Sequence, residues 1–279
     1  MKRIIISLWV LSAAGLGGIS TAPAQGLPKT QPKLLTIDRE EVKIGRNEEH
    51  SKHEAGWPAA YEKAKSTEPS LRSHDYYIAM TSLTGPNEAW YVGASESHAA
   101  LAESMKRLDK DPVLSAELAR LSLADSQYIN DARIIQAIAN ADLSVGDFPD
   151  LNKVRFFEVT LFRLHPGHET QFEEAAKAYA AARKRADPKA GYRVYRVIAG
   201  MPTPAYIVFA SVEDYGQFDQ RLAAGMATFK EATTEEKGAL KVGSEAISSE
   251  ESNRFRVDPR QSYVPKETRE TDPDFWMPK

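Results

Sequence analysis

Few side chains in this 279-residue sequence are equipped for chemistry. There is no cysteine, which excludes thiolate nucleophiles, disulfides and cysteine-ligated metals. The 6 histidines are then the groups that ordinarily titrate near neutrality. His50 and His53 sit in Glu49-His50-Ser51-Lys52-His53-Glu54, one helical turn apart, a spacing that brings two imidazoles onto one face. A metal would need a third ligand. A carboxylate such as Glu49 is at hand, but no His-Glu-x-x-His or similar signature completes the set, so no metal site is assigned. His165 and His168 flank Pro166-Gly167, which reads as a turn without chemistry. His74, before a strand, and His98, at a helix start, read as surface residues.

Other catalytic patterns are missing. No Gly-x-Ser-x-Gly elbow is present, and the glycines at 15–18 fall in an apolar leader rather than in a phosphate loop. No cofactor is assigned, and whether the protein is an enzyme stays open. The net charge of −3 comes from charges mixed along the chain, which points away from nucleic acid. Lys2-Arg3, the apolar run 4–11 and Ala22-Pro23-Ala24 read as a secretory signal peptide over 1–24, placing the mature protein in the periplasm or outside the cell with no membrane association after cleavage.

The elements that must position these residues come in two copies. Leu35-Thr36-Ile37, a turn at Gly45 and a helix with Trp57 match Phe157-Glu158-Val159, a turn at Gly167 and a helix with Tyr179. The hairpin around Gly85-Pro86-Asn87 matches that around Gly200, with Ala89 set against Ala205, and Ser144 matches Ser262. A period this long marks a duplicated domain rather than a solenoid. Each copy reads β-α-β-β-α-β, the split βαβ unit of ferredoxin-like α+β folds. The expected divisions are a linker over 25–33, a first repeat over 34–149, a second over 150–258 and a tail over 259–279. Strands are expected at 34–42, 76–84, 88–94 and 133–139, then at 154–164, 192–199, 205–210 and 254–257. Pro58 should kink the first helix or mark its restart. The tail should be irregular, with Asp274-Phe275-Trp276-Met277 docking on the body or on a second molecule.

With Leu164-His165-Pro166-Gly167-His168 opening a helix, and the strand 205–211 running into Val212-Glu213-Asp214, the paired copies resemble the dimeric α/β-barrel superfamily over about 35–265. NIPSNAP-like proteins and antibiotic-biosynthesis-type monooxygenases belong there. The resemblance implies two sheets packed face to face, one chain acting as its own pseudo-dimer, and a monomer or homodimer with a cavity between the sheets.

Strand alternation then suggests which groups line that cavity. Leu35 and Ile37, like Phe157 and Val159, should meet the helices, whereas Asp38, Glu40 and Glu158 should face the inter-sheet space. Arg193 and Arg196 are the expected counter-charges, and Tyr77, Trp90, Tyr192, Tyr195 and Tyr206 an aromatic supply. The candidate ligand-binding residues are therefore His50, His53, Asp38, Glu40, Glu158, Tyr195 and Arg196. The expected function is that of an exported small-molecule-binding or interaction protein. The alternative implied by the resemblance is a monooxygenase-type oxidoreductase, cofactor-independent or haem-dependent. Copy one places His50, His53, Asp38 and Glu40 where copy two has Phe172, Ala175, Thr160 and Phe162, so an active pocket should be asymmetric.

Overall fold

The computed structural model describes residues 26–67, 76–187, 189 and 191–278. Residues 1–24, where a signal peptide is expected, and His74 lie outside the described residues. The first pass of the chain runs β1 (Leu34–Val42), α1 (Asn47–Glu54), α2 (Gly56–Thr67), β2 (Tyr77–Ser82), β3 (Glu88–Ser95), α3 (His98–Asp109), α4 (Pro112–Asp125) and β4 (Ile129–Val145). The second runs β5 (Phe156–Leu164), α5 (Glu169–Ala186), β6 (Tyr192–Ala199), β7 (Ala205–Val212), α6 (Gln217–Glu231), α7 (Thr234–Glu245) and β8 (Ile247–Val257). Two short helices, α8 (Lys266–Thr271) and α9 (Pro273–Trp276), follow.

The eight strands close into an antiparallel barrel in the order β1-β3-β2-β8-β5-β7-β6-β4. Each half contributes a ferredoxin-like sheet with the same internal order, its first strand between its third and fourth. The halves are stitched by β4 against β6 and by β2 against β8, the latter through only Met80–Val257, Thr81–Arg256 and Ser82–Phe255. Closure removes free edges, leaving every strand paired on both sides.

The barrel interior is the main core. Leu35, Ile37, Ile78, Met80, Trp90, Phe157, Val159, Tyr195, Ile207, Phe209 and Phe255 belong to one buried apolar cluster drawn from both halves. This reverses the expected facing. Leu35, Ile37, Phe157 and Val159 point into the barrel, and the alternate residues of β1 and β5 point at the helices. Phe162 meets Phe172 of α5 at 5.4 Å between ring centroids, and Glu40 meets His50 of α1. In a closed barrel both faces of a strand are covered, and the enclosed face carries the more uniform apolar set.

The ladders also shift one alignment. Glu40 pairs with Ala89, and its counterpart Phe162 pairs with Tyr206, so Ala89 matches Tyr206 rather than Ala205, and Trp90 matches Ile207. Tyr206 accordingly packs on the helix side with Phe172, and Tyr77 packs outward near Tyr61 and Tyr263, so neither supplies the barrel. β4 and β8 are longer than expected: β4 pairs with both β1 and β6, and β8 pairs with β5 along the whole of β5. The tail is helical rather than irregular, and it does dock. Trp276 is 3% exposed, joins the barrel cluster and donates from Nε1 to Asn152 O at 3.1 Å, with Arg155 stacked over Phe275.

Candidate functional site

The barrel has two ends. At one, Arg39 is bound to Glu88 at 2.5 Å and Glu251 at 3.2 Å, an ion-pair network with the Arg39 guanidinium over Trp90. At the other, a cavity of about 360 Å³ opens between the start of β1, β2, β5 and β6 and the loop after β4. Its wall is aromatic and aliphatic: Tyr76, Phe148, Phe157, Tyr195 and Phe209 beside Leu35, Ile78 and Met80. Lys189, Arg193 and Arg221 also line it. Arg193 donates to the carbonyls of Gly146, at 2.7 Å, and of Asp147, and Arg221 donates to Gly191 O at 3.1 Å. The Nε of each guanidinium is buried and unpartnered. No ion pair between described residues engages either one, and burial weakens the hold of both on their protons. Asp147 also lines the cavity and its charge supports Arg193, but Lys189, Arg193 and Arg221 outnumber it, so this end of the barrel favours an anion. Burial also holds the Tyr76 and Tyr195 hydroxyls well above the usual phenol range, leaving them as hydrogen-bond donors.

Of the candidate ligand-binding residues Tyr195 alone reaches this cavity, joined by Tyr192 and Arg193, which were expected beside it. Arg196 is exposed on β6. Glu158 faces the helix side and accepts from Arg254 Nε at 3.4 Å. Arg193 was expected as a counter-charge; Arg221 carries no motif, and only its place on α6 reveals it.

The remaining candidates gather on the opposite face of the first sheet. Asn47–Glu54 forms α1 because Glu48 and Glu49 sit in its positive first turn, Lys52 and His53 in its negative last turn, and Lys52 pairs with Glu48 at 2.6 Å. The helix stops at Ala55, and Gly56 and Pro58 open α2, so the restart expected at Pro58 falls two residues earlier. A Cβ on Gly56 would stand 2.9 Å from Leu121 Cδ2, so glycine lets this junction press against α4. His53 Nε2 lies 2.9 Å from Leu121 O in the same contact and 5.3 Å, centroid to centroid, from Tyr128. His53 is thus a bracket between helices.

That bracket places Asp125, the last residue of α4, beside His50. His50 Nε2 is 2.9 Å from Glu40 Oε2 and 3.7 Å from Asp125 Oδ1. Glu54, one turn beyond His50 on the same helix face, completes a group whose four ligand-capable atoms all lie within 4.8 Å of one another. Glu40, His50, Glu54 and Asp125 are all buried. Burial and the surrounding carboxylates push Glu40 up to about 9 and Glu54 up to about 8, while Asp38, whose Oδ1 is buried without a partner, is pushed up to about 6. Burial lowers the affinity of His50 for a proton. Trp57 Nε1 donates to Glu54 Oε1 at 3.2 Å, and the Tyr91 hydroxyl donates to Gln261 Oε1 at 2.8 Å nearby. The second half fills the matching space with Phe162, Phe172, Leu164 and Tyr206. The two halves thus differ on the helix side of the sheet, polar in the first and apolar in the second. Glu49, the carboxylate paired with the histidines in the sequence reading, is exposed and lies 3.8 Å from Arg46.

No described helix is long and apolar enough to cross a membrane. No protein-family model matches the chain, and no curated protein matches it. Solved structures do resemble it. A putative monooxygenase from Fusobacterium nucleatum subsp. nucleatum has a TM-score of 0.50 at 11% identity, over 81% of this chain and 92% of its own. An anthrone oxidase-like protein has a TM-score of 0.51 at 11% identity, over 83% and 94%. A mutant chlorite dismutase from Candidatus Nitrospira defluvii has a TM-score of 0.45 at 8% identity, over 83% and 93%. At these identities the likeness is one of fold.

Proposed function

We propose that the protein is an exported small-molecule-binding protein, whose ligand is an anion with a flat apolar body held in the barrel cavity. One observation carries this reading: an aromatic wall ends in two guanidinium groups that no described carboxylate pairs. The apolar body would stack among Tyr76, Phe157, Tyr195 and Phe209, and the anionic end would take the free Nε atoms of Arg193 and Arg221. Export follows from the leader over 1–24, and descent from a tandem duplication from the shared strand order of the halves, which lets one chain serve as its own pseudo-dimer.

The second reading is cofactor-independent oxidation of the bound molecule. It draws on the same cavity and on the descriptions of the two neighbours as a putative monooxygenase and an anthrone oxidase-like protein. The Tyr76 and Tyr195 hydroxyls would stabilise a substrate oxyanion there. A haem held by histidine does not fit the described residues: no histidine among them lines the cavity. His50 and His53 stand outside the barrel wall, engaged with Glu40 and Leu121.

Calorimetric titration with 1-naphthoate and its neutral amide, together with oxygen uptake in the presence of anthrone, separates the readings. Binding of the acid in preference to the amide, without oxygen uptake, is expected. Equal binding of acid and amide would remove the anion site, and steady oxygen uptake would favour the oxidase.

A further inference from the structure

The buried cluster on the helix side of β1 is independent of the barrel cavity, because the two lie on opposite faces of the same sheet. We propose that Glu40, His50, Glu54 and Asp125 form a binding site for one divalent first-row transition metal ion.

The first ground is geometric. A cation coordinated at about 2.0–2.2 Å places its ligand atoms up to about 4.2 Å apart when they oppose each other. The four donor atoms here fall within 4.8 Å of one another, so the widest pair must close by about 0.6 Å if its members oppose each other on the ion, and by more if they do not. They also come from three separate elements, β1, α1 and α4, around one point. His50 and Glu54, four residues apart on α1, deliver one nitrogen and one oxygen from a single helix face.

The second ground is an orphan acceptor. Asp125 is 4% exposed, and its Oδ1 is buried without a hydrogen-bond partner while lying 3.7 Å from His50 Nε2. A buried carboxylate oxygen with nothing to accept from loses its hydration for no return. No ion pair between described residues gives Glu40, Glu54 or Asp125 a lysine or arginine; the nearby Arg39 and Arg260 are bound to Glu88 and to Asp258. A cation at the centre supplies what every member lacks.

The donor chemistry selects the ion. Three carboxylates with one imidazole suit manganese, iron(II) or zinc better than magnesium or calcium, which prefer all-oxygen shells. Trp57 stands behind Glu54, as a partner that orients a ligating carboxylate does. Entry is provided by a surface cleft of about 570 Å³ that His50 lines together with Asn47, Ser51, Asp258 and Gln261.

The test uses the mature chain, stripped with a chelator and titrated with Mn²⁺, Zn²⁺ and Mg²⁺ in two buffers of different ionisation enthalpy. Mn²⁺ and Zn²⁺ should bind at one equivalent, and Mg²⁺ at least tenfold more weakly. Co²⁺ should give a visible absorption band of a site with a nitrogen ligand. His50→Gln and Asp125→Asn should each weaken Mn²⁺ and Zn²⁺ at least tenfold, and Glu49→Gln, on the exposed side of α1, should not. Asp125→Asn preserves side-chain shape, and far-UV circular dichroism with naphthoate binding reports whether a variant has folded. Absence of stoichiometric binding, or binding that a folded Asp125→Asn or His50→Gln variant retains, would overturn the site. Naphthoate binding stands or falls separately, so failure of the metal site is distinguishable from failure of the cavity.

Discussion

His50 Nε2 lies 2.9 Å from Glu40 Oε2 where the equivalent positions of the second half bring two rings, Phe162 and Phe172, to 5.4 Å. One half of the barrel thus carries a buried polar knot at the place where the other carries an apolar plug. The knot is held in shape by neighbours that do no chemistry, His53 on Leu121 O and Gly56 under α4.

The knot makes the metal-stripped protein sensitive to alkali. Folded Glu40 and Glu54 keep their protons to about 9 and 8, whereas unfolded ones release them near 4.5. The native state therefore binds more protons across that window, and its stability falls as pH rises through it. His50 acts with the opposite sign, because its folded proton affinity is lowered, but only below its ordinary value of 6.5. Between pH 6.5 and 9 the carboxyls act alone. The thermal midpoint of chelator-treated protein should drop across this interval, at ~2–4 °C per kcal/mol lost, and Glu40→Gln should flatten the slope. A level or rising midpoint would show that these carboxyls are already ionised in the fold.

Ligand affinity should follow the unpaired guanidinium groups at the barrel mouth. Arg193→Met keeps the apolar stem and removes the charge, so 1-naphthoate should bind at least tenfold more weakly while the neutral amide changes little. Comparable losses for acid and amide would mean that Arg193 supports the wall rather than the anion.

The docked tail contributes to global stability. Trp276→Ala removes a ring that is 3% exposed and its hydrogen bond to Asn152 O. A loss of about 3 kcal/mol in urea unfolding is expected. A loss below ~0.5 kcal/mol would mean that the tail packs without holding.

Gly243→Ala should destabilise although alanine is the better helix former. A Cβ at Gly243 would collide with Ala175 Cβ, where α7 crosses α5. Overpacking of this kind costs about 1–3 kcal/mol, against about 1 kcal/mol of helix propensity regained. An unchanged or raised denaturation midpoint would show that α7 can shift outward freely.

The order of elements was legible because each copy repeats the turns at Gly45 and Gly167 and the hairpins at Gly85 and Gly200, glycines that all take positive φ. Which strand face meets the helices was not. Alternation distinguishes two faces but not an enclosed barrel from a helix layer when both are apolar, and β5 carries Phe157 on one side and Phe162 on the other. For the site, the contrast of His50 and Glu40 with Phe172 and Phe162 was readable from the repeat. Glu54 could be found from its helical spacing to His50. Asp125 had no local signal, since only the packing of α4 on α1 brings it there. Arg193 was visible as a charge, but its want of a partner belongs to the tertiary structure.

The three-pair seam between β2 and β8 bears on how the molecule is made. Synthesis delivers β2 long before β8, so the nascent first half waits with both outer strands bare, β2 on one side and β4 on the other. β6 relieves β4 first, and β2 is covered only when residues up to 257 have emerged. Through most of its birth the chain is an open ribbon with a template edge, at risk of joining a sister chain before it meets its own end.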